Sequence, residues 1–424
     1  MKFIRLNLEH NGVLLSVCLV VFIDSIGLGL IFPILPTLFT VNNYGLLQSE
    51  PQIHSNYLYG IAISLYPFAS LLGMPILGRL SDIFGRRKLL LWGMAGSFIG
   101  YALSMVSLFT HNIGLFYISR FVSGFSSGTY SICGAAIVDL GNHKGDKVNE
   151  LKHMTLAMIL GFIIGPGLSY FMHESSTTFS LAMPFILACG LCLLNIMLLY
   201  VFYPISQLNL LPKQNKIFSE LTEALKFMFK ANIRYLIYGY LLFNLGFEIF
   251  LQSQSLYLNT VYSYSAKQIG LFFVIMGSSF ALSMFVIHPK VNKVLGIKSQ
   301  IKSGCFIMGL GLLLYSFSNM IAVCSISNQI KFTWINSILF YLATPFVTLN
   351  MTKVFSDIVS NDSQGNLMGA LGQISSIATV IGALTMGVLF AITPDLNAVC
   401  GGLFILLGAL ILRALLKNGA LNVL

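Results

Sequence analysis

Gly78-Arg79-Leu80-Ser81-Asp82-Ile83-Phe84-Gly85-Arg86-Arg87-Lys88 joins two long apolar runs. It packs five charged residues into a gap too short for a folded domain. Such a connection lies in water while both flanks lie in lipid. Gly78 and Gly85 allow a sharp backbone turn without a Cβ clash. The basic cluster fixes which side of the membrane the turn occupies. Asp82 is placed to counter a basic neighbour or to face the positive end of a helix.

Composition supports this reading. The 424 residues are 56% hydrophobic and only 9% charged, with a mean hydropathy of +0.83. A soluble domain carries roughly a quarter charged residues. A membrane-spanning helix takes about 20 apolar residues, so about twelve spans with short loops consume the chain. The expected fold is all-α and polytopic, with two six-helix bundles and no room for a nucleotide-binding or catalytic domain. The first apolar run is too long for a cleaved signal and is read as the first span.

The net charge of +10 lies in loops, so topology explains it and nucleic acid is not an expected partner. Seven cysteines are spread over apolar segments, including Cys189 and Cys192, and read as core residues. No His-Glu-x-x-His occurs, and no phosphate-binding Gly-x-x-x-x-Gly-Lys-Ser/Thr is present. The expectation is no enzyme, no metal and no cofactor.

The spans are placed at about 13–39, 57–77, 89–109, 114–140, 155–172 and 181–202. A second set follows at about 233–257, 268–287, 303–323, 334–357, 367–392 and 398–416. The halves are residues 1–203 and 233–424, joined by a cytoplasmic linker at 204–232. In that linker, residues 220–230 have the periodicity of an amphipathic surface helix. Of 24 Lys and Arg, Arg120 lies within a span, and only Lys267 and Lys331 fall in outside loops if both termini are cytoplasmic. The bias follows the positive-inside rule.

Within the first span, Pro33 and Pro36 interrupt the hydrogen-bond ladder, so a kink is expected. Asp24 lies deep in that span. An acid there costs about 2.5–3.5 kcal/mol by insertion scales, so it should face the bundle interior. Arg120, Gly124 and Gly128 share one face of the fourth span. The glycines also suit close helix packing, whereas a buried guanidinium needs a partner. Gly161, Gly165 and Pro166 in the fifth span read as a close-packed, slightly bent helix. In the seventh span, Asn244, Glu248, Gln252 and Ser255 form a polar stripe. Such a stripe lines water or substrate, or else glues helices together. Gln373 adds an amide in the eleventh span.

The opening stretch resembles the Gly-x-Leu-x-Asp-x-x-Gly-Arg-Arg/Lys loop of the major facilitator superfamily. It supplies Gly78, Leu80, Asp82, Gly85, Arg86 and Arg87 at the fixed positions. The first span resembles that of the twelve-helix drug:proton antiporters, especially the tetracycline-resistance exporters. The Arg120 string resembles the family's fourth-span motif, which implies a part for Arg120 in proton transfer. The resemblance also implies that Asp139 pairs with the basic turn, here with Arg86. It further implies that Asp82 docks at the start of the eleventh span. The fifth-span run resembles the antiporter motif ending Gly-Pro-x-x-Gly-Gly, with Ser169 and Tyr170 at its last two positions.

Together these point to a proton-coupled exporter of an amphiphilic small molecule or drug, working by alternating access as a monomer in the inner membrane. Asp24, Arg120 and Glu248 are the candidate coupling residues. Asn244, Gln252 and Gln373 are the candidate substrate contacts. Gly78, Asp82, Gly85, Arg86, Arg87, Asp139, Gly161, Gly165 and Pro166 are the candidate gating residues. Import or export of a metabolite or siderophore is the alternative, motivated by Ser169 and Tyr170.

Overall fold

The computed structural model describes residues 2–39, 45–47, 52–141, 147–168, 177–203, 234–320, 325–358 and 364–417. Within these, side chains at 2–11, 28, 52–53, 138–141, 147–151, 317–320, 358, 364–369 and 414–417 lie outside the description. The linker helix expected at 220–230 falls on residues that are not described.

Pro33 stops the first helix as expected. α1 (Lys2–Ile31) ends in a turn, and α2 (Leu35–Phe39) resumes with Leu38 N–H bonded to Ile34 C=O at 3.2 Å. Next come α3 (Gln52–Phe84) and α4 (Arg86–Phe109). Here the turn is tighter than the sequence reading placed it. Gly78 lies inside α3, and the helix runs on through Asp82 to Phe84. Gly85 alone breaks it, at φ +91°, a conformation that favours glycine.

The fourth span is also corrected. It is two helices, α5 (Ile113–Ser126) and α6 (Thr129–Gly141), separated at Ser127 and Gly128. The cause is a serine run. Ser123, Ser126 and Ser127 each donate a hydroxyl back to a carbonyl one turn earlier. Bonds of that kind bend helices.

The chain continues through α7 (Lys147–Leu168), α8 (Thr178–Phe202), α9 (Arg234–Tyr262) and α10 (Ala266–Leu282). A π-turn at Ser283–Ile287 leads to α11 (His288–Val291). The last helices are α12 (Ile297–Met320), α13 (Ile326–Ile358), α14 (Gln364–Ile392) and α15 (Leu396–Lys417). Ten helices among the described residues are long and apolar enough to cross a membrane. The broken α5–α6 pair and the shorter apolar stretch of α7 supply the other two spans. The protein is an all-α, twelve-span membrane protein.

Polarity is inverted relative to a soluble domain. Tyr200 is 71% exposed, whereas Arg120 is 4% exposed. Asn195, Gln252, Gln254 and Gln300 are all buried. Apolar side chains face outward because lipid, not water, surrounds them.

The chain forms two compact units. The segment Asn56–Ser64 at the start of α3 belongs to the unit built mainly from the second half, and Tyr264–Val274 to the other. In the first unit, α1 packs on α7 and α8, and α4 on α5 and α8. Glycines set these approaches. A Cβ on Gly29 would stand 2.7 Å from Pro166 Cδ, and one on Gly165 2.7 Å from Ile26 C=O. One on Gly161 would stand 2.6 Å from Phe22 C=O. Gly124 and Gly128 meet the backbone of α3 at Tyr66 and Gly73. The fifth-span motif is therefore the α1–α7 contact, and the fourth-span glycines are the contact with α3. In the second unit, α9 packs on α14 and α15, and α12 on α13 and α15.

Candidate functional site

Each unit carries its own cluster of candidate residues. In the first, α5 buries Arg120 among aromatic faces. Its guanidinium carbon lies 5.3, 5.7 and 5.9 Å from the ring centroids of Phe116, Phe185 and Tyr101. Its Nη2 donates to Ser104 Oγ at 2.8 Å, and Ser104 Oγ lies 2.7 Å from Ser119 Oγ. Nε has no hydrogen-bond partner, and no carboxylate pairs with Arg120 among the described residues. Ring quadrupoles and hydroxyls therefore take the place of a counter-ion. A desolvated cation–π contact is worth about 2 kcal/mol.

Asp24, on α1, is partly buried and has no ion pair or hydrogen bond among the described residues. Tyr66 and Tyr101 lie within electrostatic reach of both Asp24 and Arg120. Tyr101 also fills the space beside Gly27, where a Cβ would stand 2.7 Å from its hydroxyl. Sequence reading found the two charges but missed Tyr66, Tyr101 and Ser104. These sit on α3 and α4 with no local pattern to single them out.

In the second unit, the polar stripe of α9 faces α14. Gln252 Nε2 donates to Glu248 Oε2 at 2.9 Å and to Thr379 C=O at 3.1 Å. Asn244 donates to Tyr240 C=O at 2.8 Å and accepts from Ser375 Oγ at 3.4 Å. The Tyr240 hydroxyl lies 3.2 Å from the same serine. A Cβ on Gly382 would stand 3.0 Å from Glu248 Cβ, so α14 needs a small residue there. Gln252 thus acts between helices, holding the acid to the α14 backbone. Gln373 is partly buried, and its Oε1 has no partner among the described residues. Ser255 is fully buried.

At the basic turn, Arg86 Nη1 lies 2.5 Å from Asp82 Oδ1 and 2.5 Å from Ser81 Oγ. Asp82 therefore does counter a basic neighbour. Arg87 Nη2 donates to Tyr200 C=O at 2.6 Å, and its guanidinium stands 5.1 Å from the Tyr200 ring centroid. The side chain of Asp139 and those at the start of α14 lie outside the described residues, and with them both expected family pairings. Among the described residues, no cluster of His, Cys, Asp or Glu could hold a metal ion.

A family model described as Major Facilitator Superfamily matches residues 17–383. The chain belongs to that superfamily. Among characterised proteins, it is 24% identical to the class H tetracycline resistance protein of Pasteurella multocida over 408 residues, covering 96% of this chain and 95% of the relative. It is 25% identical over 401 residues to multidrug resistance protein 1 of Bacillus subtilis strain 168, covering 92% of each. The fold matches the crystal structure of a D-xylose–proton symporter with a TM-score of 0.76 at 16% identity, covering 95% of this chain and 96% of that one. This superfamily member is a multi-pass membrane transporter of small molecules, not an enzyme.

Proposed function

We propose that this transporter exports an amphiphilic small molecule or drug in exchange for protons. The observation that carries the coupling is Asp24, an acid within the membrane that, among the described residues, no cation neutralises and no donor holds. A carboxyl so placed can take up and release a proton during a cycle. Arg120, caged in its rings, keeps a fixed positive charge in the same unit. Glu248 is the second acid, held by Gln252. The export direction is supported by the two relatives, whose names are those of resistance proteins.

In this reading, residues 1–203 and 233–424 are the moving bundles and 204–232 their linker. A proton entering across 100 mV supplies about 2.3 kcal/mol to bias them. Asn244 and Gln373 offer polar contacts to the substrate, and Gln252 positions Glu248. Gly85, with the Asp82–Arg86 pair and Arg87, braces the cytoplasmic turn. Asp139 joins this brace, Gly78 rides in α3 beside it, and the Gly161–Gly165–Pro166 seam lets α7 move against α1. The protein works as a monomer in the inner membrane, with both termini cytoplasmic and no nucleic-acid partner.

The test is drug-driven proton movement in proteoliposomes. Adding an exported drug should release protons in the parent protein and not in Asp24→Asn. Drug transport without proton movement would overturn the reading. Ser169 and Tyr170 support the rival reading of metabolite import. Accumulation that follows inward proton flow would favour it.

A further inference from the structure

Two opposite charges sit inside the first unit and do not pair. Asp24 is on α1 and Arg120 on α5, and no ion pair joins them among the described residues. Arg120 still has an unused donor, since its buried Nε lacks a hydrogen-bond partner. Away from water a carboxylate and a guanidinium attract strongly, and a direct contact would serve both. Their separation therefore needs a physical cause.

Tyr101, on α4, supplies one. Its ring centroid lies 5.9 Å from the Arg120 guanidinium carbon. Its far end reaches α1, where the hydroxyl lies 2.7 Å from the position a Cβ on Gly27 would take. Gly27 is three residues beyond Asp24, so the two share a helical face. One side chain thus spans from the guanidinium to the turn that carries the acid. Tyr101 is 2% exposed and lies within electrostatic reach of both charges. The bare backbone at Gly27 gives its hydroxyl a seat.

Other groups do not offer Asp24 a cation. Within the first unit, Tyr66 on α3, Tyr101 on α4, Cys133 on α6 and Cys192 on α8 lie within electrostatic reach of it. Helix α7, although packed on α1, adds no titratable group to that set among the described residues. Arg120 is the one cation in the same interior, and the tyrosine ring stands beside it.

We propose that the Tyr101 ring is a wedge that keeps Arg120 from closing on Asp24 and so leaves the acid free to change its protonation. Tyr101 is a positioning residue, acting on Asp24 through the contact it excludes. Without the ring the guanidinium closes on the carboxylate, and an adjacent cation favours the ionised form. The flat ring does this work and the hydroxyl does not. The consequence for transport rests on the coupling role proposed for Asp24; the wedge itself does not.

The experiment is an infrared titration of the full chain in detergent, with Asp24→Asn identifying the Asp24 carboxyl band. In Tyr101→Leu and Tyr101→Met the midpoint should fall by about one to three pH units, the usual effect of a cation beside a carboxylate. Tyr101→Phe keeps the ring and should titrate as the parent does. Arg120→Gln should raise the midpoint more in the Tyr101→Leu background than in the parent, because only there do the charges touch. An unmoved midpoint in the variants without the ring overturns the proposal. So does an equal fall in Tyr101→Phe, which would assign the effect to the hydroxyl, and so do equal effects of Arg120→Gln in the two backgrounds. Thermal unfolding checks the fold of each variant. Methionine fills the space flexibly, so a fold lost in Tyr101→Leu does not stop the measurement. No transport is measured, so a failed exchange assay and a failed wedge are told apart.

Discussion

The Arg120 guanidinium donates to the Ser104 hydroxyl at 2.8 Å across the α4–α5 contact. That bond is the only polar one the structure gives the guanidinium among the described residues. It ties the buried cation to a neighbouring helix. Ser104→Ala should therefore lower stability by about 1.5–3 kcal/mol, the usual worth of a hydrogen bond to a charged group. Thermal unfolding in detergent measures this. A midpoint equal to the parent would show that the rings alone hold Arg120.

Arg120→Lys should fare worse in transport than in folding. An ammonium keeps the charge but loses the planar face that lies over Phe116 and Phe185. Drug-driven proton release should fall at least tenfold while expression and unfolding stay near those of the parent. Full activity in Arg120→Lys would reduce the cage to a packing feature.

The α1–α7 seam should tolerate no bulk. A side chain at Gly165 meets Ile26 C=O and the Gly29 backbone, neither of which is a movable side-chain tip. Gly165→Val should cost about 1–3 kcal/mol through overpacking. Gly190, with nothing near its Cβ position, serves as the control, and Gly190→Ala should be neutral. Comparable losses at both positions would argue against a seam set by glycine.

At the start of α3, Gly60 touches α14. A Cβ on Gly387 would stand 2.9 Å from Asn56 C=O and 3.1 Å from Gly60 Cα. Gly387→Leu should force these two segments apart. In a background without native cysteines, Asn56→Cys should then react with a water-soluble maleimide several times faster. Asn56 is 8% exposed in the parent structure. Unchanged labelling would mean that the segments separate freely already.

Gln252→Leu should loosen Glu248 without removing it. The substitution leaves Glu248 Oε2 short of one donor and frees Thr379 C=O. A stability loss of about 1–3 kcal/mol is expected, with proton coupling impaired. KM for the drug should move little, because Gln252 is 2% exposed and its amide is committed to α14. A large rise in KM with normal stability would return Gln252 to the substrate contacts.

The chain's own letters determined its class, its twelve spans and its charged residues within the membrane. Hydropathy and cationic bias act residue by residue, so a string of letters carries them in full. The proline break after Ile31 is equally local. Three things needed tertiary structure. The basic turn shrank to Gly85 because α3 gains hydrogen bonds by continuing to Phe84. The fourth span split because several serine hydroxyls compete with its ladder together. The partners of the buried charges came last: rings and Ser104 for Arg120, Gln252 for Glu248 and, among the described residues, none for Asp24. Those partners come from other turns and other helices, and which faces meet depends on where glycines let the backbones close, a property of packed pairs and not of any one stretch.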